Sequence, residues 1–560
     1  YFENASGTMQ NTIIESAATH GLICNGNAEP TLNDVIFQNC TAAPVGMSLL
    51  SNPVFEDITF TNNGYNGIRI IDNTLSSDAT LDKRSIAGID NVAYLIDQTL
   101  TIGQDAMLTI NAGVVLKFVF QSSSWEKRQL IVNGAIKVLG TNEDPVYFTS
   151  DRDDSIGGDT NNDGNTTIPT KGDWYCIELN SSAISAENHF QYAIFRYGGY
   201  YDYSWNSYQS NHGNLRIRNS YALVENCTFE HSSTSGIGIF GNSNPEIIGN
   251  LFKNIELTPV TISMFSTPQF SGNTFTNVGI AALGIPIENW SVDATVPVRS
   301  FGGYNNITYF MYTYYPSYNF TKISNGTTVT IPEGIVFKFE DNSSCRNLEV
   351  NGRLICNGTA DNPIVFTQIK DDAYGNPKDT NGDGSATSPS IVSDQSWIIF
   401  NDISNDESLL NHVIFRYQND AVILNQASPT IKNCIFEHNH FGIRLNGVSA
   451  PVLENCTFHN LTYTPIRMSL VSYPSTTTGN IISGTTYKAL GVVGETLNQE
   501  VSLQNRNFAG IDGIPYYFHD PYTIGTSGGM TIEPGVILKF GDQNSNLRFI
   551  VQNYLNAGGG

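Results

Sequence analysis

Between Ser428 and Asn460 the chain repeats one short phrase, SPTIKNCIFEHN and then APVLENCTFHN. Pro429 returns as Pro451, Asn433 as Asn455, Cys434 as Cys456 and Phe436 as Phe458, each 22 residues on. A period of that length is too long for a heptad and matches one turn of a solenoid. Cys and Phe stand two apart, the alternation of a strand, and the Gly, Asn and Pro between the runs are turn formers.

The same coil recurs elsewhere. Phe37 and Phe60 are 23 apart, Phe229, Phe252 and Phe275 step by 23, and Pro30 with Pro53 and Pro245 with Pro268 keep pace. Two residues after the repeating Phe stands Asn39, Asn62, Asn254, Asn277 or Asn460, with His231 and His438 in two coils. Asn tolerates left-handed backbone at a bend, and stacked amides bond along a column, so these positions predict an amide ladder. Piled coils place each strand parallel to its equivalent about 4.8 Å away, and such crossovers are right-handed. The reading is an all-β chain, a right-handed parallel β-helix.

Composition bounds the function. A chain of 560 residues needs no division into globules when every coil touches only its neighbours. A net charge of -24 argues against nucleic-acid binding, which needs clustered Lys and Arg, and suits a soluble or cation-binding surface. No apolar run is long enough for a membrane-spanning helix. The eight cysteines do not form a small disulfide scaffold: Cys227, Cys434 and Cys456 each precede a repeating Phe by two and read as buried small hydrophobes. Bridges between Cys434 and Cys456, or Cys345 and Cys356, are conceivable but not favoured.

A longer period overlies the short one. IAGIDNVAYL at 86–95, FGGYNNITYF at 301–310 and FAGIDGIPYY at 508–517 are offset by 215 and 207 residues. Each precedes a second shared phrase containing Gly113 and Lys117, Gly334 and Lys338, or Gly535 and Lys539. The three lysines read as outward-facing strand residues, because one chain rarely needs three catalytic bases. The expected divisions are 1–86, the end of one unit; 87–301 and 302–508, two complete units; and 509–560, the start of another. Both ends resemble interrupted repeats, so a segment of a longer repetitive protein is expected, a rod of order 100 Å at about 4.8 Å per coil.

The sharpest motif occurs once in each complete unit. DRDDSIGGDTNNDGNTTIP at 151–169 answers KDDAYGNPKDTNGDGSATSP at 370–389. Each holds D-x-N-x-D-G, as Asp159, Asn161, Asp163 and Gly164 and as Asp379, Asn381, Asp383 and Gly384. Oxygens at alternate positions followed by Gly let a short loop wrap a hard cation, as in the first half of a calcium loop. The Glu that completes such a loop is missing, with Thr170 and Ser390 in twelfth place. The pairs Asp153 with Asp154, and Asp371 with Asp372, are expected to fold back and supply the remaining oxygens. An Asx-rich turn is the competing reading, and calcium in a structural role is the expectation.

A second candidate is aromatic. The insertion YGGYYDYSWNSYQSNHGN at 197–214 carries Tyr200, Tyr201, Tyr203, Trp205 and Tyr208, and has no counterpart after Tyr417. Exposed rings beside amides suit contact with glycans or proteins; the alternative is that they fold down over a face of the column, as YFMYTYYPSY at 309–318 would. For nucleophilic catalysis the chain offers no G-x-S-x-G elbow and no zinc-type His spacing.

The coil phrase resembles the repeat of the pectate-lyase-like superfamily. The longer phrases TIPEGIVFKF and LEVNGRLICNGTADNPIVFT, with the D-T-N-x-D-G insertion, look like repeats of very large secreted surface proteins of Bacteroidetes-type bacteria. That resemblance implies export to the bacterial cell surface by type IX secretion, and a non-enzymatic adhesive or structural role whose partners are glycans or other surface or secretion proteins. The alternative is a polysaccharide-active enzyme, a uronate lyase or glycoside hydrolase, or a carbohydrate-binding module. The hydrolase phrases N-T-D, G-H-G and R-I-K are absent, and the acid clusters repeat where an active site should occur once.

Overall fold

The computed structural model describes residues 1–123, 125–200, 212–312, 320–340, 348–391, 397–541 and 546–558. Among these, the three-residue turn Ser185–Glu187 is the sole helical element, and everything else regular is strand. The chain divides into two compact units: Tyr1–Ile285 with Ser300–Asn305, and Pro286–Arg299 with Asn306–Gly560. The division therefore falls around the second of the three phrases that open the long repeat.

In the first unit an 11-stranded sheet runs from Phe2–Glu3 to Thr274–Thr276, and a 7-stranded sheet from Ala79–Leu81 to Gln269–Ser271. A further sheet accumulates strands from Thr74–Leu75 to Leu283–Ile285, while Ser6–Glu15, Glu29–Gln38 and Val54–Thr61 form a short 3-stranded one. The pairing is parallel and in the register that the coil period requires: Phe229 opposes Phe252, which opposes Phe275. In the second unit a 10-stranded sheet runs from Asn289–Trp290 to Leu538–Phe540, and a 6-stranded one from Ala294–Thr295 to Val452–Glu454. There Phe366, Phe415, Phe436 and Phe458 stand opposite one another in succession.

The register stacks the rings. Phe436 lies 5.0 Å from Phe458 with planes 9° apart, and Phe195 lies 4.7 Å from Phe229 at 7°. Such contacts are worth about 0.5–1.5 kcal/mol each beyond the area they bury. Cys227, Cys434 and Cys456 are buried free thiols within the columns. The sulfur of Cys434 is turned to the Lys432 and Leu410 carbonyls. Cys345 lies outside the described residues.

The Asn ladder forms as the residue types require. Asn39, Asn62, Asn254, Asn277 and Asn460 all have φ between 48° and 56°, as do His231 and His438. Asn62 Nδ2 donates to Asn39 Oδ1 at 2.8 Å and Asn277 Nδ2 to Asn254 Oδ1 at 2.5 Å. An amide on left-handed backbone thus both permits the bend and ties it to the next coil.

The long repeat has a structural meaning of its own. The phrase shared at the start of each long repeat is a tight turn closed by an antiparallel bridge, Ile86 to Ile89, Phe301 to Tyr304 and Phe508 to Ile511. Its Gly and Ala lie at positive φ. Phe301 packs 5.6 Å from Phe252, and Phe508 packs 6.0 Å from Phe458, so the turn closes a Phe column. Behind each turn an Arg is held against a buried Tyr. Arg84 donates to Tyr94 at 2.9 Å, Arg299 to Tyr309 at 3.3 Å and Arg506 to Tyr516 at 3.1 Å. Each Tyr hydroxyl in turn donates to a main-chain carbonyl, of Asp82, Pro297 or Gln504.

Candidate metal centres

Each acidic segment leaves its coil directly after a strand, Val146–Ser150 in the first unit and Ile364–Gln368 in the second. It then lies back over the outer face of the preceding coils. In the first unit Asn66 N–H donates to the Thr160 carbonyl at 2.8 Å, and Asn162 Nδ2 donates to the Asn63 carbonyl at 2.9 Å. In the second, Asn376 N–H donates to Thr308 Oγ1 at 2.7 Å and Thr308 N–H to the Asn376 carbonyl at 3.1 Å.

Within the loop the D-x-N-x-D-G run curls on itself. Asp159 accepts from the Asp163 N–H at 3.1 Å and the Gly164 N–H at 2.9 Å. Asp379 accepts from Asp383 and Gly384 at the same two distances. Asp163 accepts from the Thr166 and Thr167 N–H groups and the Thr167 hydroxyl. Asp383 does so from Ser385, Ala386 and both donors of Thr387. Gly164 and Gly384 sit at φ 61° and 69°, where the reversal leaves little alternative to Gly.

This curl gathers carboxylates. Ligand oxygens of Asp154, Asp159 and Asp163 lie within 4.8 Å of one another, and so do those of Asp372, Asp379 and Asp383. Asn161 and Asn381 spend their amide nitrogens on Asp163 and Asp383, at 3.0 and 2.8 Å. Their Oδ1 atoms, and Oδ1 of Asp154 and Asp372, are buried from water without a hydrogen-bond partner. Four orphaned oxygens at equivalent places in two loops are a poor arrangement for a mere turn and a good one for a hard cation, which takes 6–8 oxygens at about 2.3–2.6 Å. The residues fit calcium: Asp154, Asp159, Asn161 and Asp163 would hold one ion, and Asp372, Asp379, Asn381 and Asp383 another. In place of the missing twelfth-position Glu, an acid from before the run, Asp154 or Asp372, would supply the further carboxylate.

The charges agree with this division of labour. Burial, and then repulsion by Asp159, pushes the Asp154 carboxyl up, as burial and then Asp379 push Asp372 up. The Thr167 and Thr387 hydroxyls hold Asp163 and Asp383 below the usual carboxylate range.

Asp153 and Asp371, expected to fold back as ligands, fall outside both groups of gathered carboxylates and are paired with arginines instead. Arg196 reaches Asp153 at 2.6 Å and Arg416 reaches Asp371 at 2.7 Å, and all four side chains are largely buried. Thr149 and Thr367 each donate a hydroxyl to the same acid, at 2.6 and 2.5 Å. These acids fasten the root of the loop to the next coil.

Lys117 and Lys338 alternate with the core residues of their strands, as expected of outward-facing positions, yet they are fully buried because the acidic loop roofs them. Burial lowers both ammonium groups to about 8, against the pull of Asp153 and Asp154 on one and of Asp371 and Asp372 on the other. Lys539 is exposed. Of the aromatic insertion, Tyr200 donates its N–H to the Trp174 carbonyl at 3.0 Å; Tyr201, Tyr203, Trp205 and Tyr208 lie outside the described residues. Residues 313–318 of the second aromatic stretch lie outside them as well.

A parallel column of this register, with rings and amides stacked coil on coil, defines a β-helix repeat protein. A family model described as a right handed beta helix region matches residues 165–307 and 391–528, just over half of the chain, and the chain belongs to that family. Both matches begin after the D-x-N-x-D-G run of their loop. Among curated proteins and among solved structures nothing matches the chain. No helix of the described residues is long and apolar enough to cross a membrane.

Proposed function

We propose that this chain is a non-enzymatic structural or adhesive stretch of an extracellular, bacterial β-helical protein, and that calcium in its two acidic loops stiffens the column. The observation that carries the reading is duplication. The same four oxygen donors, with the same orphaned atoms, recur in equivalent loops 220 residues apart (Asp159 and Asp379), as expected of a construction element rather than of a reaction centre. A cation there would discharge three crowded carboxylates and pin a loop that already bridges several coils. The family resemblance of the longer phrases supports export and surface display, with glycans or other surface proteins as partners.

Calcium titration followed by calorimetry and thermal melting tests this. The expected result is two equivalents bound, a rise in melting temperature, and its reversal by EDTA. Absence of both binding and stabilisation would overturn the calcium reading. Unsaturated product from pectin or alginate at ordinary enzyme rates, followed by ultraviolet absorbance, would overturn the non-enzymatic one.

A further inference from the structure

Beneath each loop, a side chain from the preceding coil grips the main chain immediately before the first acid of the D-x-N-x-D-G run. Lys117 Nζ donates to the carbonyl of Gly158 at 2.8 Å, and Gly158 precedes Asp159. Lys338 Nζ donates to the carbonyl of Lys378 at 2.6 Å, and Lys378 precedes Asp379. Lys117 also donates to the hydroxyl of Thr160 at 2.6 Å. Thr160 and Thr380 are wholly buried, and each bonds back to the same carbonyl as the lysine, at 3.2 and 3.3 Å. On the neighbouring strand, Lys117 stands opposite Thr149 and Lys338 opposite Thr367, the residues that hold the loop root through Asp153 and Asp371.

An ammonium beside a cation site is electrostatically unfavourable to the cation, so its presence under both loops calls for a compensating role. Neutralisation of the acids, whose pull both ammonium groups feel, is not the whole of it, because the donated bonds go to main-chain carbonyls and a hydroxyl rather than to the clustered carboxylates. We infer that Lys117 and Lys338 are positioning residues, struts that fix the path of the loop before any cation arrives, so that the cation enters a preformed site instead of folding one. The inference rests on the calcium reading above for its ligand. The strut itself is a statement about the cation-free loop.

Hydrogen–deuterium exchange of the whole chain, in EDTA and across a calcium titration, reads each loop separately. In EDTA the segments 156–163 and 376–383 should already be protected. Lys117→Met should abolish protection of the first segment alone and weaken calcium at that loop by about tenfold or more, the usual consequence of removing a group that orients metal ligands. The second loop, unchanged, is the internal control, and Lys338→Met should give the mirror result. Should Lys117→Met fail to fold, Thr160→Val removes one of the gripped groups and should move the first loop in the same direction. Unchanged or tighter calcium binding in Lys117→Met would overturn the strut, since the ammonium would then only repel. A lowered melting temperature with both loops equally affected would also overturn it, as a general structural role. Loops protected in EDTA and loosened by the substitutions, in a protein that binds no calcium, would refute the calcium reading and leave the strut standing.

Discussion

The two acidic loops are built on the same four oxygen donors and the same buried lysine, but they are tied down differently. The first loop goes from Asp154 to Asp159 in five steps and the second from Asp372 to Asp379 in seven. The first is fastened through Asn66, Asn162 and Ser155, with Arg196 donating to the Ser155 hydroxyl at 2.9 Å. The second is fastened through Thr308 and Asn376, with one nitrogen of Arg416 bonded to both oxygens of Asp371. What survives the change of tether is the donor set and the grip on the residue before it. The tether itself differs, and this separates the parts that would serve a cation from the parts that merely hold a loop to its coils.

The largest effects should come from the roots, where the two copies share a buried ion pair. Arg416→Gln leaves Asp371 buried without its cation and should cost about 3–5 kcal/mol, with Arg196→Gln at the lower end because Arg196 is the more exposed of the two. Denaturant unfolding checks both, and equal costs would remove that distinction between the loops. Cation removal comes next. At calcium one hundred times its dissociation constant each site adds about 2.7 kcal/mol. Asp159→Ala should therefore forfeit about that amount and one of the two equivalents in calorimetry, and Asp379→Ala the same at the other loop. A variant that kept both equivalents would break the equivalence of the donor sets.

Proton competition should treat the loops alike. Asp154 and Asp372 are raised, so in the cation-free protein their ionised forms are disfavoured, and protonation relieves rather than harms the loop. Cation binding requires them ionised and displaces the protons, so affinity should fall as pH drops through the raised carboxylate range. Asp163 and Asp383, held low, stay ionised longer. Calorimetry over a descending pH series should show binding weaken at both sites as the raised acids take up protons; affinity independent of pH across the whole series, down to where free carboxylates protonate, would exclude the two raised acids from the ligand set. The smallest effect belongs to the ladder: Asn62→Ala removes one exposed amide bond and should cost about 1 kcal/mol.

Much of this was legible in the chain. A coil of 22 or 23 residues places Phe436 on Phe458 whatever else the protein does, and Asn at a fixed offset from Phe places left-handed backbone at a bend. The D-x-N-x-D-G run of each loop was equally plain, because the oxygens it gathers are local in sequence. The counter-charges were not. Arg196 is 43 residues after Asp153 and Lys117 is 41 before Gly158, and only the piling of coils brings them together. A signal was present all the same, since Phe-Arg-Tyr follows both loops at 195–197 and 415–417 and the lysine precedes both. Counting acids alone does not distinguish Asp153 and Asp371, which these arginines pair, from the acids of the clusters. The fate of Lys117 was hidden for a related reason: alternation tells a strand residue which way to face, but not that a loop from the next coil will cover it.

The claim that each acidic loop is a calcium site can be tested in one measurement, an anomalous-difference map at long wavelength from crystals grown in calcium. The account predicts one peak in each loop, about 2.3–2.6 Å from oxygens of Asp154, Asp159, Asn161 and Asp163 and of Asp372, Asp379, Asn381 and Asp383. Well-ordered loops with no peak at either position, or a peak coordinated by Asp153 or Asp371 in place of these donors, would contradict it.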